Sequence, residues 1–134
     1  RLRDIGHEYG AVTGRERRCG WLDMVALRYS VMMNGVTALI MMKSDVLNDF
    51  EKLKVAVAYK VDGKETTEFP YEVNGEIVPV YKEFEGWNCN INGIRNYDQF
   101  PTRLKEYIEF IEKETGVPVK IVSVGPDREE TIIR

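Results

Sequence analysis

"LIMMKSDVL", Leu39 to Leu47, is the stretch on which the fold turns. Its first half belongs to an almost wholly apolar run, Val36 to Met42, with the length and composition of a buried strand. The run ends abruptly in Lys43-Ser44-Asp45. A strand apolar on both faces marks a sheet covered by helices, and open α/β sheets bind ligands outside the carboxyl ends of their strands. The stretch therefore predicts an α/β fold and a candidate site together.

The segments on either side extend this reading. Upstream, Trp21, Leu22, Val25, Ala26, Tyr29, Met32 and Met33 recur at helical spacing, so Trp21 to Asn34 reads as a helix. Asp23 falls in its first turn and Asn34-Gly35 is its stop. Residues 1 to 20, punctuated by Gly6, Gly10, Gly14 and Gly20, read as loop. Downstream, Val46 to Phe50 reads as a short turn or helix, and Lys54 to Val61 as a strand. Asp62-Gly63 is then a hairpin turn into Lys64 to Phe69. Val78 to Phe84 is a further strand and Gly86 to Asp98 a loop. Thr102 to Thr115 is a helix with Leu104, Tyr107, Ile108 and Ile111 as its apolar stripe and Glu109–Lys113 as an i,i+4 pair. Gly116 and Pro118 end it. Val117 to Val124, a turn at Gly125 to Arg128, and Thr131 to Ile133 complete the pattern. Met32, Met33, Met41 and Met42 read as core, and Tyr71, Tyr81 and Trp87 as packing residues. The expected fold is α/β: a mixed β-sheet with flanking helices.

Composition narrows the function. A chain of 134 residues suits one domain or part of a larger one. The net charge of −3 argues against a nucleic-acid binder, which carries a basic excess. Cys19 and Cys89 form neither a disulfide framework nor a zinc pattern, which fits a reducing compartment. No apolar run reaches the roughly 18 residues of a membrane span. The chain starts at Arg1 and meets its Gly-rich stretch almost at once, so the expectation is a fragment without its N-terminal part.

Three segments carry candidate chemistry. The Asp45 carboxylate accepts two hydrogen bonds side by side, matching the N1–H and 2-amino donors of guanine, and the Lys43 stem can lie along the base. Adenine lacks that donor pair. A solvated turn is the alternative, since Lys-x-Asp is frequent by chance. Ser123-Val124-Gly125 ends another strand and offers backbone N–H groups to a base carbonyl, or is a plain exit turn. In "GAVTGRERRCGW", Gly10 to Trp21, a Thr13-Gly14 turn precedes Arg15, Arg17 and Arg18, whose guanidiniums match carboxylate or phosphate. A solvated charged loop is the alternative there, and Glu16 points away or orients a neighbour. No Gly-rich phosphate loop ending in Gly-Lys-Ser/Thr occurs. The lone His7 reads as solvated, Cys19 as packing, and Asp127 with Arg128 as a local cap or pair.

With these segments together, the chain resembles the C-terminal part of adenylosuccinate synthetase over essentially its whole length. The resemblance is carried by "GAVTGRERRCGWLDMVALRYSVMMNGVT", "MMKSDVL", "VAYKVDG", "PVYKEFEGW" and "TGVPVKIVSVGPDREETIIR". It implies the C-terminal part of a P-loop-NTPase-like synthetase fold and GTP-dependent ligation of L-aspartate to IMP, assisted by Mg2+, in a cytoplasmic homodimer that binds neither nucleic acid nor membrane. By the same carry-over Ala11, Val12, Thr13, Gly14, Arg15, Glu16 and Arg17 form the loop that closes over aspartate. Arg15 also contacts IMP and Arg17 reaches the GTP side. Lys43, Ser44 and Asp45 hold guanine, and Ser123, Val124 and Gly125 complete its pocket. The family's catalytic aspartate, catalytic histidine, phosphate loop and magnesium ligands are expected in the missing N-terminal portion, so this chain alone is expected to be inactive. His7 does not sit in the histidine motif. The chain departs from the family pattern at Val12, where Thr is usual, at Glu16, often Pro or Arg, and at Ser44, often Leu. The alternative reading is a guanine-nucleotide-binding module without catalysis.

Overall fold

Ten residues of continuous strand, Lys52–Val61, organise one half of the protein, and the helix Thr102–Thr115 covers its core. The computed structural model describes residues 1–73 and 75–134. In chain order the elements are α1 (Leu2–Ile5), β1 (Leu22–Asp23), α2 (Met24–Asn34), β2 (Leu39–Met41), β3 (Lys52–Val61), β4 (Lys64–Thr66), β5 (Ile77–Glu85), α3 (Thr102–Thr115), β6 (Val119–Ser123) and β7 (Thr131–Ile133). Short 3-10 turns occur at Ser44–Leu47, Tyr97–Gln99 and Arg128–Glu130.

Strands and helices mix as expected, but in two sheets rather than one. In the first, β3 pairs in parallel with β1 and antiparallel with β4 and β5. In the second, β6 pairs in parallel with β2 and antiparallel with β7. The β3–β4 hairpin turns through Asp62 and Gly63, both at positive φ (49° and 80°), which is the backbone a two-residue turn between twisted strands requires. The β5 exit is tight. The Gly86 N–H donates to Glu51 O at 2.7 Å, and a Cβ there would lie 1.7 Å from Phe50 O. Only glycine allows that approach.

The α3 stripe is buried as read: Leu104, Tyr107, Ile108 and Ile111 face Leu53, Val55, Val119 and Val122 in one core. Trp87 joins it, and its indole N–H donates to Asn48 Oδ1 at 3.3 Å. Glu109 and Lys113 form no ion pair among the described residues. Instead Glu112 accepts from the Val119 N–H at 2.7 Å and pairs with Arg134 at 2.6 Å, tying α3 to the ends of β6 and β7.

Other expectations are corrected. Residues 2 to 5 are helical, not loop. α2 starts at Met24, because Leu22 and Asp23 extend as a strand against Val55 and Ala56. Asp23 is therefore its N-cap, accepting from the Ala26 N–H at 3.0 Å, rather than a first-turn residue. Of the expected apolar face only the first half is covered: Val25 is buried and Trp21, Leu22 and Ala26 are half-buried, whereas Met32 is 68% exposed and Met33 and Tyr29 are exposed. Apolar residues surround this helix, so periodicity could not select the packed face. The strand expected over Val36 to Met42 shrinks to Leu39–Met41, with Ile40 and Met42 exposed, because β2 has a strand neighbour on one edge only. Tyr71 and Tyr81 are exposed, not packed.

Candidate functional site

Parallel pairing sets Met41 of β2 opposite Val122 of β6. Two parallel neighbours end at the same side of a sheet, so Lys43-Ser44-Asp45 and Ser123-Val124-Gly125 emerge together. The 3-10 turn that begins at Ser44 touches β6.

Lys43 sits in the left-handed region, φ 56° and ψ 39°. A side-chain-bearing residue there costs about 1–2 kcal/mol, and such strain concentrates at functional sites. Tertiary bonds hold it: Lys43 Nζ donates to Gly6 O at 2.7 Å and ion-pairs with Glu8. Asp45 is half-buried, and its carboxylate has no hydrogen-bond or ion-pair partner among the described residues. An acceptor pair is thus left free for a ligand. Ser44 points inward and is fully buried, and its Oγ is the buried side-chain polar atom left without a partner among the described residues. An unsatisfied buried hydroxyl costs about 1–3 kcal/mol. Ser44→Ala is accordingly expected to raise the melting temperature of the chain. A lower melting point would show that the hydroxyl has a partner.

In the second segment the Val124 N–H donates to Glu130 O at 2.9 Å, and the Ser123 hydroxyl to Gly125 O at 2.9 Å. The Val124 N–H and the Ser123 hydroxyl are thus spent, whereas the Gly125 N–H has no hydrogen-bond partner among the described residues. A Cβ on Gly125 would lie 2.0 Å from Glu130 Oε2. That oxygen is held by the Asp127 N–H at 3.1 Å in a capping box, so Asp127 caps locally as read.

The Ala11 to Arg18 loop is solvent-exposed and shaped as a narrow hairpin. Tyr9 and Glu16 face each other in a bridge, the Gly10 N–H donates to Arg15 O at 2.8 Å, and Gly14 turns at φ 65°. Thr13 Oγ1 accepts from the Arg15 N–H at 3.3 Å, and Val12 is exposed. The Arg15 and Arg18 guanidiniums have no partner among the described residues. Glu16 turns to Arg3, at 2.8 Å, and leaves the arginines uncompensated. Arg17 is different: its Nη1 contacts Glu8 Oε2 at 2.9 Å. Lys43 and Arg17 therefore meet on one carboxylate, whose pKa is lowered by hydrogen bonds from Lys43 first and Arg17 second. The residues around that meeting line a shallow cleft of about 390 Å³ that includes Glu8, Arg17, Arg18 and Lys43. Among the described residues Arg15 has no hydrogen bond or ion pair with either strand-end segment. Glu8 and Arg3 went unread in the sequence, because no local spacing links them to Lys43 or Glu16.

Among the described residues no group of His, Cys, Asp or Glu side chains is arranged to hold a metal. Cys19 and Cys89 are free and exposed, and no described helix is long and apolar enough to cross a membrane.

An α/β fold with free acceptor and donor groups at the ends of two parallel strands, beside an arginine loop, has the form of the α/β proteins that take ligands at their strand ends. The chain belongs to the adenylosuccinate synthetase family, whose model matches residues 1–132. It is 60% identical over all 134 residues to the adenylosuccinate synthetase of Parabacteroides distasonis and 58% identical to that of Phocaeicola vulgatus, covering 32% of each. A fully ligated adenylosuccinate synthetase from Plasmodium falciparum matches with a TM-score of 0.93 at 37% identity, over 99% of this chain and 33% of that one. The chain thus spans about a third of the length of these relatives.

Proposed function

We propose that this chain is the C-terminal, base- and substrate-reading portion of an adenylosuccinate synthetase. The single observation that carries the reading is the parallel β2–β6 pairing, which gives one edge to both Lys43-Ser44-Asp45 and Ser123-Val124-Gly125. In the proposed reaction the γ-phosphoryl group of GTP moves to O6 of IMP. The aspartate amine then attacks C6 and phosphate leaves with that oxygen, giving adenylosuccinate, GDP and phosphate. Asp45 accepts from guanine N1–H and the 2-amino group, Lys43 packs its stem on the base, and the Gly125 N–H donates to O6. Ser44 is buried, so its contribution is through backbone. Ala11 to Arg17 close over aspartate, with Arg15 on its carboxylate and on IMP and Arg17 toward GTP. Three anionic substrates repel one another, and fixed guanidiniums offset that repulsion.

The remaining machinery belongs to a longer enzyme. Its phosphate loop, catalytic aspartate and histidine, and magnesium ligands lie outside this chain, and it works as a cytoplasmic homodimer. The test is a chimaera in which this chain replaces the matching third of the Parabacteroides distasonis relative. Adenylosuccinate formation by the chimaera, and none by the 134-residue chain alone, is the expected pair of results. A folded chimaera that makes no adenylosuccinate contradicts the functional assignment, and turnover by the isolated chain contradicts the division of labour.

A further inference from the structure

Glu8 stands between the two halves of the site. Its Oε2 accepts from Arg17 Nη1 at 2.9 Å, and its Oε1 faces Lys43 Nζ. The contact continues through the backbone, where the Arg17 N–H donates to Glu8 O at 3.0 Å. Lys43 Nζ also donates to Gly6 O at 2.7 Å, and Arg3 Nε donates to Arg17 O at 2.8 Å. Residues 6 to 8 are therefore a junction: one side fixes the loop at Arg17, and the other fixes the strand end at a strained Lys43. A carboxylate with two ionised donors on separate oxygens makes charge-assisted bonds, roughly twice as strong as neutral ones. Displacing one cation changes the field and geometry felt by the other.

We propose that Glu8 is a positioning residue that couples the arginine loop to the guanine segment, holding Arg17 with one carboxylate oxygen and Lys43 with the other. This rests on the proposed synthetase reading and deepens it. When nucleotide engages Lys43, the Glu8 bridge sets where Arg17, and with it the loop, comes to rest. Occupancy of the aspartate–IMP side then tightens nucleotide binding, and the reverse holds by linkage.

The experiment uses the full-length chimaera and GDP, which cannot drive turnover. GDP affinity is measured by calorimetry alone and with saturating IMP plus aspartate, and the ratio is the coupling factor. The intact chimaera is expected to bind GDP about tenfold more tightly with the second ligands present, a coupling of ordinary size. Glu8→Gln brings that factor to within twofold of one. Glu8→Asp, one methylene too short to reach both cations, does the same while keeping the charge, and it carries the test if the glutamine variant fails to fold. A merely structural role would lower the melting temperature and leave the factor intact. An unchanged factor in either folded variant, or no coupling in the intact chimaera, overturns the proposal. ADP is titrated alongside: loss of preference for GDP in the intact chimaera sinks the synthetase reading, whereas a kept preference with unchanged coupling sinks only Glu8.

Discussion

In the chimaera, Arg15→Ala is expected to lower kcat/KM for aspartate by about a hundredfold or more, since losing one partner of a desolvated charge pair costs about 2–5 kcal/mol. The effect isolates function because the Arg15 side chain does no structural work. It is exposed, and its guanidinium has no partner among the described residues. Its backbone carbonyl bond to Gly10 survives the substitution. The melting temperature should therefore stay within a degree or two of the parent while steady-state kinetics collapse. Arg17→Ala would be less clean, because it also breaks the contact to Glu8. A kcat/KM within threefold of the parent after Arg15→Ala would contradict its place on the substrate.

The second large effect is on folding. Gly86→Ala puts a Cβ 1.7 Å from Phe50 O and 3.2 Å from Glu51 C, so the obstacle is main chain, with no flexible side-chain tip to yield. Relief requires parting the strands where Lys52 pairs with Glu85 and the Gly86 N–H bonds Glu51 O. Overpacking of this kind sits at or beyond the upper end of the usual 1–3 kcal/mol, here about 3 kcal/mol or more. Against a typical stability of about 5–15 kcal/mol that is a large share. Denaturant unfolding checks it: a midpoint equal to that of the parent would mean that β5 exits differently.

The parts of this fold visible in the sequence are those set by local chemistry. α3 read correctly because four apolar residues lie on one stripe with polar residues opposite, and Gly116 at φ 72° ends it. The Asp62-Gly63 turn read correctly because few residue pairs adopt positive φ twice in succession. α2 and β2 misled for one shared reason. Their apolar residues are not confined to one side, and burial depends on what covers them. Met32, Ile40 and Met42 stay exposed. At the site, Lys43, Asp45 and the arginines stood out by type and spacing. The Glu8 bridge did not, because it joins positions 8, 17 and 43, far apart in sequence and brought together only by the fold. Likewise no sequence pattern showed that the Val124 N–H would be spent on Glu130.

The end of β2 is proposed to read guanine through Asp45. The most direct test is calorimetric titration of the chimaera with GDP and with ADP, before and after Asp45→Asn. The substitution keeps the size and replaces one acceptor oxygen with a donor. A parent that prefers GDP, and a variant in which the preference falls at least tenfold with ADP affinity little changed, is the predicted result. A parent indifferent to the base, or a variant that keeps the full preference, would contradict it.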